Sequence, residues 1–178
     1  MLRYIYGEDL HNYPKLAKTM FTDRAIQFRD RLGWDVNVDE NGQEHDQYDM
    51  LNPLYVIREE ADGSHGGSMR FLPTTGRCMM HEFFLHITDG VKISSPVIWE
   101  CTRFCLAPGA NPQAPASLML AGAEIMRGFG IEHFAGVFDA RMVRIYRMIG
   151  ASPDVLGSEG EGRDRISVGL WAFDQADY

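Results

Sequence analysis

The chain has 178 residues and is 45% hydrophobic and 11% aromatic, which excludes intrinsic disorder and predicts one domain with its own core. The formal net charge of −8, without a long basic run, argues against a nucleic-acid surface. No apolar stretch approaches the roughly 20 residues of a membrane span, and the start lacks a signal-peptide pattern. We therefore expect a cytoplasmic protein whose three cysteines are reduced.

The hydrophobic pattern alternates between the periods of strands and of helices. In chain order, the predicted elements are strand Leu2–Tyr6, helix Asn12–Leu32, a loop over 34–53, strands Leu54–Glu60 and Gly67–Pro73 joined by a turn at Asp62-Gly63, a short helix or loop over Cys78–His86, a strand between Pro96 and Pro108, helix Pro112–Gly128, strand Ile131–Phe138, a helix from its cap Asp139 to Gly150, and strand Ile166–Phe173. Asn12 can cap the first helix, Phe83 can anchor its segment, and Phe129 belongs to the predicted inner face of the helix that begins at Pro112. One more strand fits after Gly150. This order predicts an α/β fold with a mixed sheet and helices on both faces.

Arg24 interrupts the apolar stripe of the first predicted helix. An arginine at such a position either extends to the rim of the core, which is the commoner outcome, or is held by carboxylates. The acidic segment 34–53 reads as a loop that can fold over this helix as a lid. It would then offer Asp46 and Asp49 as partners for Arg24.

The strand between Pro96 and Pro108 carries Glu100 and Arg103 in an otherwise apolar run. Buried charges are costly unless each has a partner or a task. A spacing of three directs the two side chains to opposite faces of a regular strand, so only a bulge brings them together. The strand alone leaves open whether the pair fixes register or serves a function.

Several familiar chemistries lack their sequence signatures. The chain has no Gly-x-Ser-x-Gly nucleophile elbow, Walker loop or dinucleotide fingerprint, and its Ser/His/Asp and Cys/His combinations are unconvincing. A metal site at His45, Asp46 and Asp49 is not expected. The pair His81 and His86 also misses the four-residue spacing that aligns two ligands on a helix face.

Opposite charges instead recur on apolar elements, with aromatic residues beside them. The charged residues are Arg24, Asp46, Asp49, Arg70, Glu100 and Arg103, and the aromatic ones are Phe28, Trp34, Phe71, Trp99 and Phe104. Such a mixture suits a small zwitterionic ligand. Carboxylates hold an ammonium, arginines hold a carboxylate, and aromatic faces accept a sulfonium or a purine.

With these residues in place, the chain resembles the LuxI-type acyl-homoserine-lactone (autoinducer) synthases. The matching segments are FTDRAIQFRDRLGWDV (21–36), EHDQYD (44–49), SMRFLPTTG (68–76), ECTRF (100–104) and GVFDARMVRIYRMIGA (136–151). The resemblance implies a three-layer α/β/α sandwich similar to N-acetyltransferases. It also implies one domain over 1–178, with the N-terminal helix and lid in 9–53 and an acyl- and carrier-binding half in 96–178.

The resemblance further implies the reaction. An acyl thioester on acyl carrier protein or coenzyme A acylates the amine of S-adenosylmethionine, and ring closure releases methylthioadenosine. S-adenosylmethionine is a substrate, so neither a separate cofactor nor a metal is expected. Glu100, Arg103 and Arg70 would be catalytic, with Glu100 or a backbone carbonyl as the base. S-adenosylmethionine and lid contacts would come from Arg24, Phe28, Trp34, Asp46, Asp49 and Phe104.

Two further sets follow from the same resemblance. The acyl tail would meet Met79, Phe83, Leu118, Met126, Gly136 and Met142. An arginine ridge, defined as Arg141, Arg144 and Arg147, is either a solvated helix face or would dock the acidic carrier protein or a pantetheine phosphate. Some relatives that choose 3-oxo acyl chains carry threonine at the position of Gly136, so we expect an unsubstituted or unusual acyl group. Thr102 also replaces a serine of the family pattern.

Two alternatives remain at this level. A general N-acyltransferase that uses acyl-coenzyme A would share the fold but should carry a glycine-rich pyrophosphate loop, which the segment 106–115 approximates poorly. A non-enzymatic sensor would use the pocket only to bind an acyl chain.

Overall fold

In the computed structural model, residues Met1–Ala172 are described, and Phe173 of the last predicted strand lies outside them. The chain forms two compact units. The first unit comprises Met1–Phe71 and Arg103–Ala121, and the second comprises Leu72–Thr102 and the chain from Gly122 onward. Within Met1–Ala172, no helix is long and apolar enough to cross a membrane.

Seven strands and four α-helices form the fold of residues Met1–Ala172. The strands are β1 (Leu2–Tyr6), β2 (Leu54–Glu59), β3 (His65–Pro73), β4 (Ile98–Leu106), β5 (His133–Asp139), β6 (Asp154–Glu159) and β7 (Ile166–Trp171). The helices are α1 (Pro14–Ala25), α2 (Met79–Phe83), α3 (Ala114–Phe129) and α4 (Ala140–Met148). The additional strand that fits after Gly150 is present as β6.

The strands follow the order β1-β2-β3-β4-β5-β7-β6 in one sheet. The β4–β5 pair is parallel, whereas the pairs β1–β2, β2–β3, β5–β7 and β6–β7 are antiparallel. The predicted mixed sheet and the hairpin between β2 and β3 are therefore confirmed.

The register of the first unit places helices on both faces of its strands. Tyr55 and Ile57 of β2 belong to a core cluster with Leu16 and Met20 of α1. Gly67 of β3 points to the opposite face because it pairs with Arg58. A Cβ atom at Gly67 would lie 3.2 Å from the Leu118 side chain of α3. Helix α1 thus covers one face and α3 covers the other.

The second unit repeats this arrangement. Met80 of α2 and Ile87 form a core cluster with Ala135 of β5 and Val168 of β7. On the other face of the same strands, the aromatic rings of Phe138, Tyr146 and Trp171 contact one another edge to face at 5.1 to 5.6 Å. Tyr146 belongs to α4, so this helix covers the second face.

Two local expectations were wrong. Asn12 does not cap α1. A 3-10 helix over Gly7–Asn12 precedes it, and Tyr13 stands at the cap with Pro14 in the first turn. Phe129, expected on the inner face of α3, is 51% exposed because it lies in the last turn, where its ring contacts Trp99 at 5.0 Å. The predicted helix 12–32 also changes form, since a π-helix over Ile26–Arg31 follows α1.

Candidate active site

Arg24 lies inside the first unit and is held by carboxylates. Arg24 is 1% exposed, so of the two positions left open for it the rim is excluded. Its Nε donates to Glu44 Oε2 at 2.6 Å, and its two terminal nitrogens donate to the carboxylate of Asp49 at 2.9 and 3.0 Å. The two parallel bonds to Asp49 are the bidentate geometry in which arginine binds carboxylates most strongly.

Arg70 of β3 joins the same carboxylates from the sheet. Its terminal nitrogens donate to Asp46 at 2.6 and 2.8 Å, and one of them also donates to Asp49 at 2.8 Å. The Tyr55 hydroxyl donates to Asp49 at 2.6 Å. Asp46 therefore binds Arg70 rather than the expected Arg24, whereas the predicted pair of Arg24 and Asp49 is confirmed.

Arg103 of β4 completes the group. Its terminal nitrogen lies 2.9 Å from Glu44 and 2.9 Å from Asp46. Its φ of +54° is a left-handed backbone conformation, which is strained for residues other than glycine. The strand is therefore irregular at Arg103. Such an irregularity is needed before the side chains of Glu100 and Arg103, three residues apart, can depart from opposite faces of the strand.

We name this group the arginine–carboxylate cluster. Its members are Arg24, Glu44, Asp46, Asp49, Arg70 and Arg103. It joins α1, the segment 34–53, β3 and β4 in one network. The backbone N–H of Glu44 also donates to the carbonyl of Phe21 at 3.0 Å, so this segment does fold over α1 as expected for a lid.

The charges in the cluster stabilise one another. Burial raises the pKa of Asp49, but the charges of Arg24 and Arg70 outweigh it and hold this pKa well below its usual range. For Asp46, burial is likewise outweighed by the hydrogen bond from Arg70 and by the charges of Arg70 and Arg103, so its pKa is lowered. Both carboxylates are ionised at neutral pH.

Glu44 is the cluster member that the sequence interpretation missed as a site residue. It is fully buried and accepts bonds from two arginines of distant elements. The signal for Glu44 was its position at the start of the matched EHDQYD segment. It was missed because the segment reads as an acidic loop, in which a buried carboxylate is not expected. Asp46 and Asp49, weighed above as metal ligands, are bound by arginines instead.

Two aromatic residues lie beside the cluster. The rings of Phe28 and Trp34 stack at 5.1 Å with an interplanar angle of 15°, and the Arg103 guanidinium carbon lies 5.2 Å from the Phe28 ring centre. Phe28 is buried within the π-helix, whereas Trp34 is 40% exposed. The aromatic pair is therefore partly exposed to solvent through Trp34. Phe104 of β4 is half-buried.

Glu100 belongs to the second unit and is 1% exposed. Its carboxylate accepts the backbone N–H groups of Met80 at 2.6 Å and Met79 at 3.1 Å, at the start of α2. Pairing of β4 with β5 covers Ile98 to Glu100. Burial and the charge of Glu100 raise the pKa of the Cys78 thiol to about 12, so this cysteine stays protonated.

Comparison with known proteins identifies the family of this chain. The profile of the autoinducer synthase family matches residues 8–177. An acyl-homoserine-lactone synthase of Rhizobium etli is 39% identical over 178 residues, which span 96% of this chain and 84% of that protein. This chain belongs to the autoinducer synthase family. It is an acyl-homoserine-lactone synthase, an acyltransferase that makes a quorum-sensing signal.

Solved structures agree on the fold. The CoA-dependent acyl-homoserine lactone synthase BjaI, solved with SAM and isopentyl-CoA, is 22% identical with a TM-score of 0.86, covering 99% of this chain and 84% of that one. A protein described as an N-acetyltransferase from Lactobacillus plantarum is 14% identical with a TM-score of 0.61, covering 97% of this chain and 99% of that one. The expected likeness to N-acetyltransferases is therefore confirmed.

The expected acyl-pocket residues of this synthase have unequal surroundings. Leu118 of the first unit is fully buried, and in the second unit Met126 is buried while Met79 and Met142 are half-buried. Phe83 is 56% exposed, so the anchoring role that its aromatic ring suggested is wrong. Whether these side chains line an acyl pocket stays a prediction.

Gly136 of β5 has little space around it. A Cβ atom there would lie 2.9 Å from the Cys101 carbonyl oxygen and 3.2 Å from the Trp171 ring. Trp171 is fixed by a hydrogen bond from its Nε1 to the Ala151 carbonyl at 2.8 Å. The threonine of some relatives would therefore not fit here without movement of the Cys101 backbone as well as of this ring.

The arginine ridge lies on α4 and is exposed at all three positions. Asp139 caps the helix by accepting the backbone N–H groups of Arg141 at 2.9 Å and Met142 at 3.3 Å, as predicted. Tyr146 is buried on the opposite side of the helix. The ridge is thus available to a partner, although its role stays a prediction.

Proposed function

We propose that this synthase transfers an acyl group from a thioester to the amine of S-adenosylmethionine, which binds against Phe28 and Trp34 beside the arginine–carboxylate cluster. The observation that carries this proposal is the cluster itself, since six buried or nearly buried charges from four segments pair completely around a partly exposed aromatic pair. An aromatic face attracts a cation, and the sulfonium of S-adenosylmethionine is one.

The cluster orders the lid rather than binding the substrate carboxylate directly. Each of its three guanidinium groups already meets two carboxylates. Because Arg24, Arg70 and Arg103 hold the segment 34–53 on the body of the unit, they position Trp34 against Phe28. The catalytic role implied for Arg70 and Arg103 is thus best understood as positioning.

Glu100 is our candidate for the base. The α-amino group of an amino acid has a reference pKa near 8, so it must lose a proton before it attacks. The N–H groups of Met79 and Met80 fix the Glu100 carboxylate, which can take that proton directly or through a water. A backbone carbonyl of the irregular β4 strand is the alternative acceptor.

The reaction proceeds in two steps, acyl transfer and then ring closure. The neutral amine nitrogen bonds to the acyl carbonyl carbon and the thioester C–S bond breaks. A proton of that nitrogen passes through the base to the departing thiolate, so the carrier leaves as its thiol. The methionine carboxylate oxygen then bonds to the carbon next to sulfur, and the C–S⁺ bond breaks. Methylthioadenosine leaves as a neutral thioether, so ring closure needs no further proton transfer.

The acyl donor is an acyl carrier protein or coenzyme A, and the arginine ridge supports either. Both donors present negative charge, from acidic side chains or from phosphates, to which exposed arginines are complementary. A cytoplasmic location also belongs to the proposal. It is supported by Cys78, Cys101 and Cys105, none of which forms a disulfide in the described part of the chain, since reduced cysteines suit a reducing compartment.

Product analysis tests the proposal. Purified protein is mixed with S-adenosylmethionine and an acyl thioester, and the products are identified by mass spectrometry. We expect an N-acyl homoserine lactone together with methylthioadenosine. An acylated amine without methylthioadenosine would identify a general N-acyltransferase instead, and binding without any product would identify a sensor.

A Glu100→Gln variant tests the base. The amide keeps the size of the side chain but takes up no proton, so we expect turnover to fall by at least about 100-fold while the fold is retained. The measurement is kcat together with a thermal unfolding curve. Unchanged turnover would remove Glu100 from the chemistry and leave the backbone carbonyl.

A further inference from the structure

Asp23, His65 and Ser68 form a hydrogen-bonded chain inside the first unit, although they belong to different elements. His65 Nδ1 lies 2.7 Å from Asp23 Oδ2, and His65 Nε2 lies 2.9 Å from Ser68 Oγ. An ionised carboxylate only accepts, so the hydrogen lies on Nδ1 and points to Asp23. The backbone N–H of His65 also donates to the Thr19 hydroxyl at 3.0 Å, one turn earlier on α1.

The order serine, histidine, aspartate is that of a hydrolase triad, but burial excludes such a role here. Ser68 is 2% exposed and the His65 side chain is fully buried. Ser68 faces α1 from within β3, where it pairs with Ile57 of β2. A substrate carbonyl therefore has no approach to its hydroxyl, and the chain of bonds must act by holding α1 on β3.

We call Asp23, His65 and Ser68, with the hydrogen bonds between them, the clamp. Its position connects it to the ligand site. Asp23 directly precedes Arg24, and Ser68 lies two residues before Arg70 on the same face of β3. Two residues after Asp23, the α-helix ends at Ala25 and the π-helix with Phe28 begins. Wide turns of this kind are rare and occur mostly at functional sites. The clamp is thus the attachment of α1 to the sheet immediately before the segment that presents Phe28.

We infer that Asp23, His65 and Ser68 are positioning residues that hold the end of α1 on β3 and thereby place Phe28 for S-adenosylmethionine and Arg24 for the arginine–carboxylate cluster. This inference rests on the proposed function for the identity of the ligand. It assigns the clamp an effect on ligand affinity that a purely structural contact would not have. Loss of the clamp lets the helix end shift, so the aromatic pair no longer meets the ligand in one geometry.

Variants of the full-length chain separate the two arms of the clamp. Asp23→Asn removes the charge from the histidine–carboxylate bond, His65→Gln breaks that bond, and Ser68→Ala breaks the other arm. His65→Asn keeps an amide N–H near the position of Nδ1 and should restore part of the loss. His86→Asn is the matched control, because His86 also bonds a carboxylate, that of Glu159 at 2.9 Å, but on the exposed surface of the second unit.

The measurements are the affinity for S-adenosylmethionine by calorimetry, and kcat and KM from product formation. We expect Asp23→Asn and His65→Gln to weaken affinity and raise KM about tenfold while kcat changes less than about twofold. Ser68→Ala should have a smaller effect in the same direction, and His86→Asn should have none. Ser68→Ala and Asp23→Asn also keep the test valid if His65→Gln fails to fold.

Two outcomes overturn the inference. Unchanged affinity with only a lower melting temperature would make the clamp a structural contact, and an equal effect of His86→Asn would make the loss non-specific. Failure of the proposed function has a different signature. Wild-type protein would then bind S-adenosylmethionine without forming a lactone, and the clamp would still be measured from the calorimetric affinities.

Discussion

The arginine–carboxylate cluster and the arginine ridge use the same side chain in opposite surroundings. In the cluster, each arginine meets two carboxylates and is largely shielded from water. On the ridge, Arg141 keeps 48% of its side chain exposed and lies 3.6 Å from the carboxylate of its helix cap. A guanidinium exposed to water is solvated and can remain unpaired. A buried guanidinium must be paired within the chain, because burial of an unpaired charge costs free energy.

The difference separates two uses of charge. The charges of the cluster pair with one another inside the chain and fix the geometry of the segment 34–53 against α1, β3 and β4. The ridge keeps its charges available for an external partner. Removing charge from the cluster should therefore change stability and ligand geometry, while removing charge from the ridge should change only encounters with a charged substrate.

Asp49→Asn should have the largest effect on stability. Asp49 accepts bonds from Arg24, Arg70 and the Tyr55 hydroxyl, so its replacement leaves buried positive charge poorly compensated. We expect a loss of about 3 to 5 kcal/mol in the free energy of unfolding, measured by urea denaturation. A loss below about 1 kcal/mol would show that the cluster behaves like surface ion pairs.

Glu44→Gln should have a smaller effect. The substitution keeps the shape of the side chain, and Arg24 and Arg103 retain Asp49 and Asp46 as partners. We expect a loss of about 1 to 3 kcal/mol in the free energy of unfolding. Glu40→Gln, at an exposed position of the same segment, is the control and should remain within about 0.5 kcal/mol of wild type.

Lowering the pH should destabilise the cluster over a defined range, because Asp46 and Asp49 become protonated. The folded pKa values of Asp46 and Asp49 lie below those in the unfolded chain, so the unfolded state binds more protons. Their contribution is complete above the unfolded pKa near 4 and is lost as the pH falls below it. Chemical denaturation between pH 6 and pH 2 should show this fall, and Asp49→Asn should flatten it. A parallel curve for the variant would contradict the assignment.

Arg144→Ala with Arg147→Ala should have the smallest effect on stability, within about 0.5 kcal/mol, because both side chains are exposed. The double variant should instead raise KM for the acyl donor several-fold and leave the affinity for S-adenosylmethionine unchanged. High salt should raise KM for the donor in wild type, and it should do so less in the variant. Equal salt dependence in both proteins would remove the ridge from donor binding.

Sequence reasoning was most successful where the signal is local. The order of strands and helices, the hairpin between β2 and β3, and the cap at Asp139 follow from period and turn chemistry. It was less successful at element ends. Asn12 has the chemistry of a cap but stands in a preceding 3-10 helix, and Phe129 has the spacing of the inner face but lies beyond the buried part of α3.

Pairing across the chain was the part that the sequence left undecided. Arg24, Asp46 and Asp49 were predicted to meet, but the partner of Asp46 is Arg70, and Glu44 was absent from the expected site. The chain of Asp23, His65 and Ser68 was not foreseen at all, since its members are separated by up to 45 positions and share no motif.

The sequence by itself determined the family, the α/β architecture and the residue types that the chemistry requires, because periodicity and spaced motifs are written along one dimension. The tertiary structure decided which carboxylate each arginine binds, which arginines stay in water, and where α1 is fastened to the sheet. Those outcomes depend on the path of the segment 34–53 through space. That path is set by many weak contacts summed over distant residues, and no local pattern records such a sum.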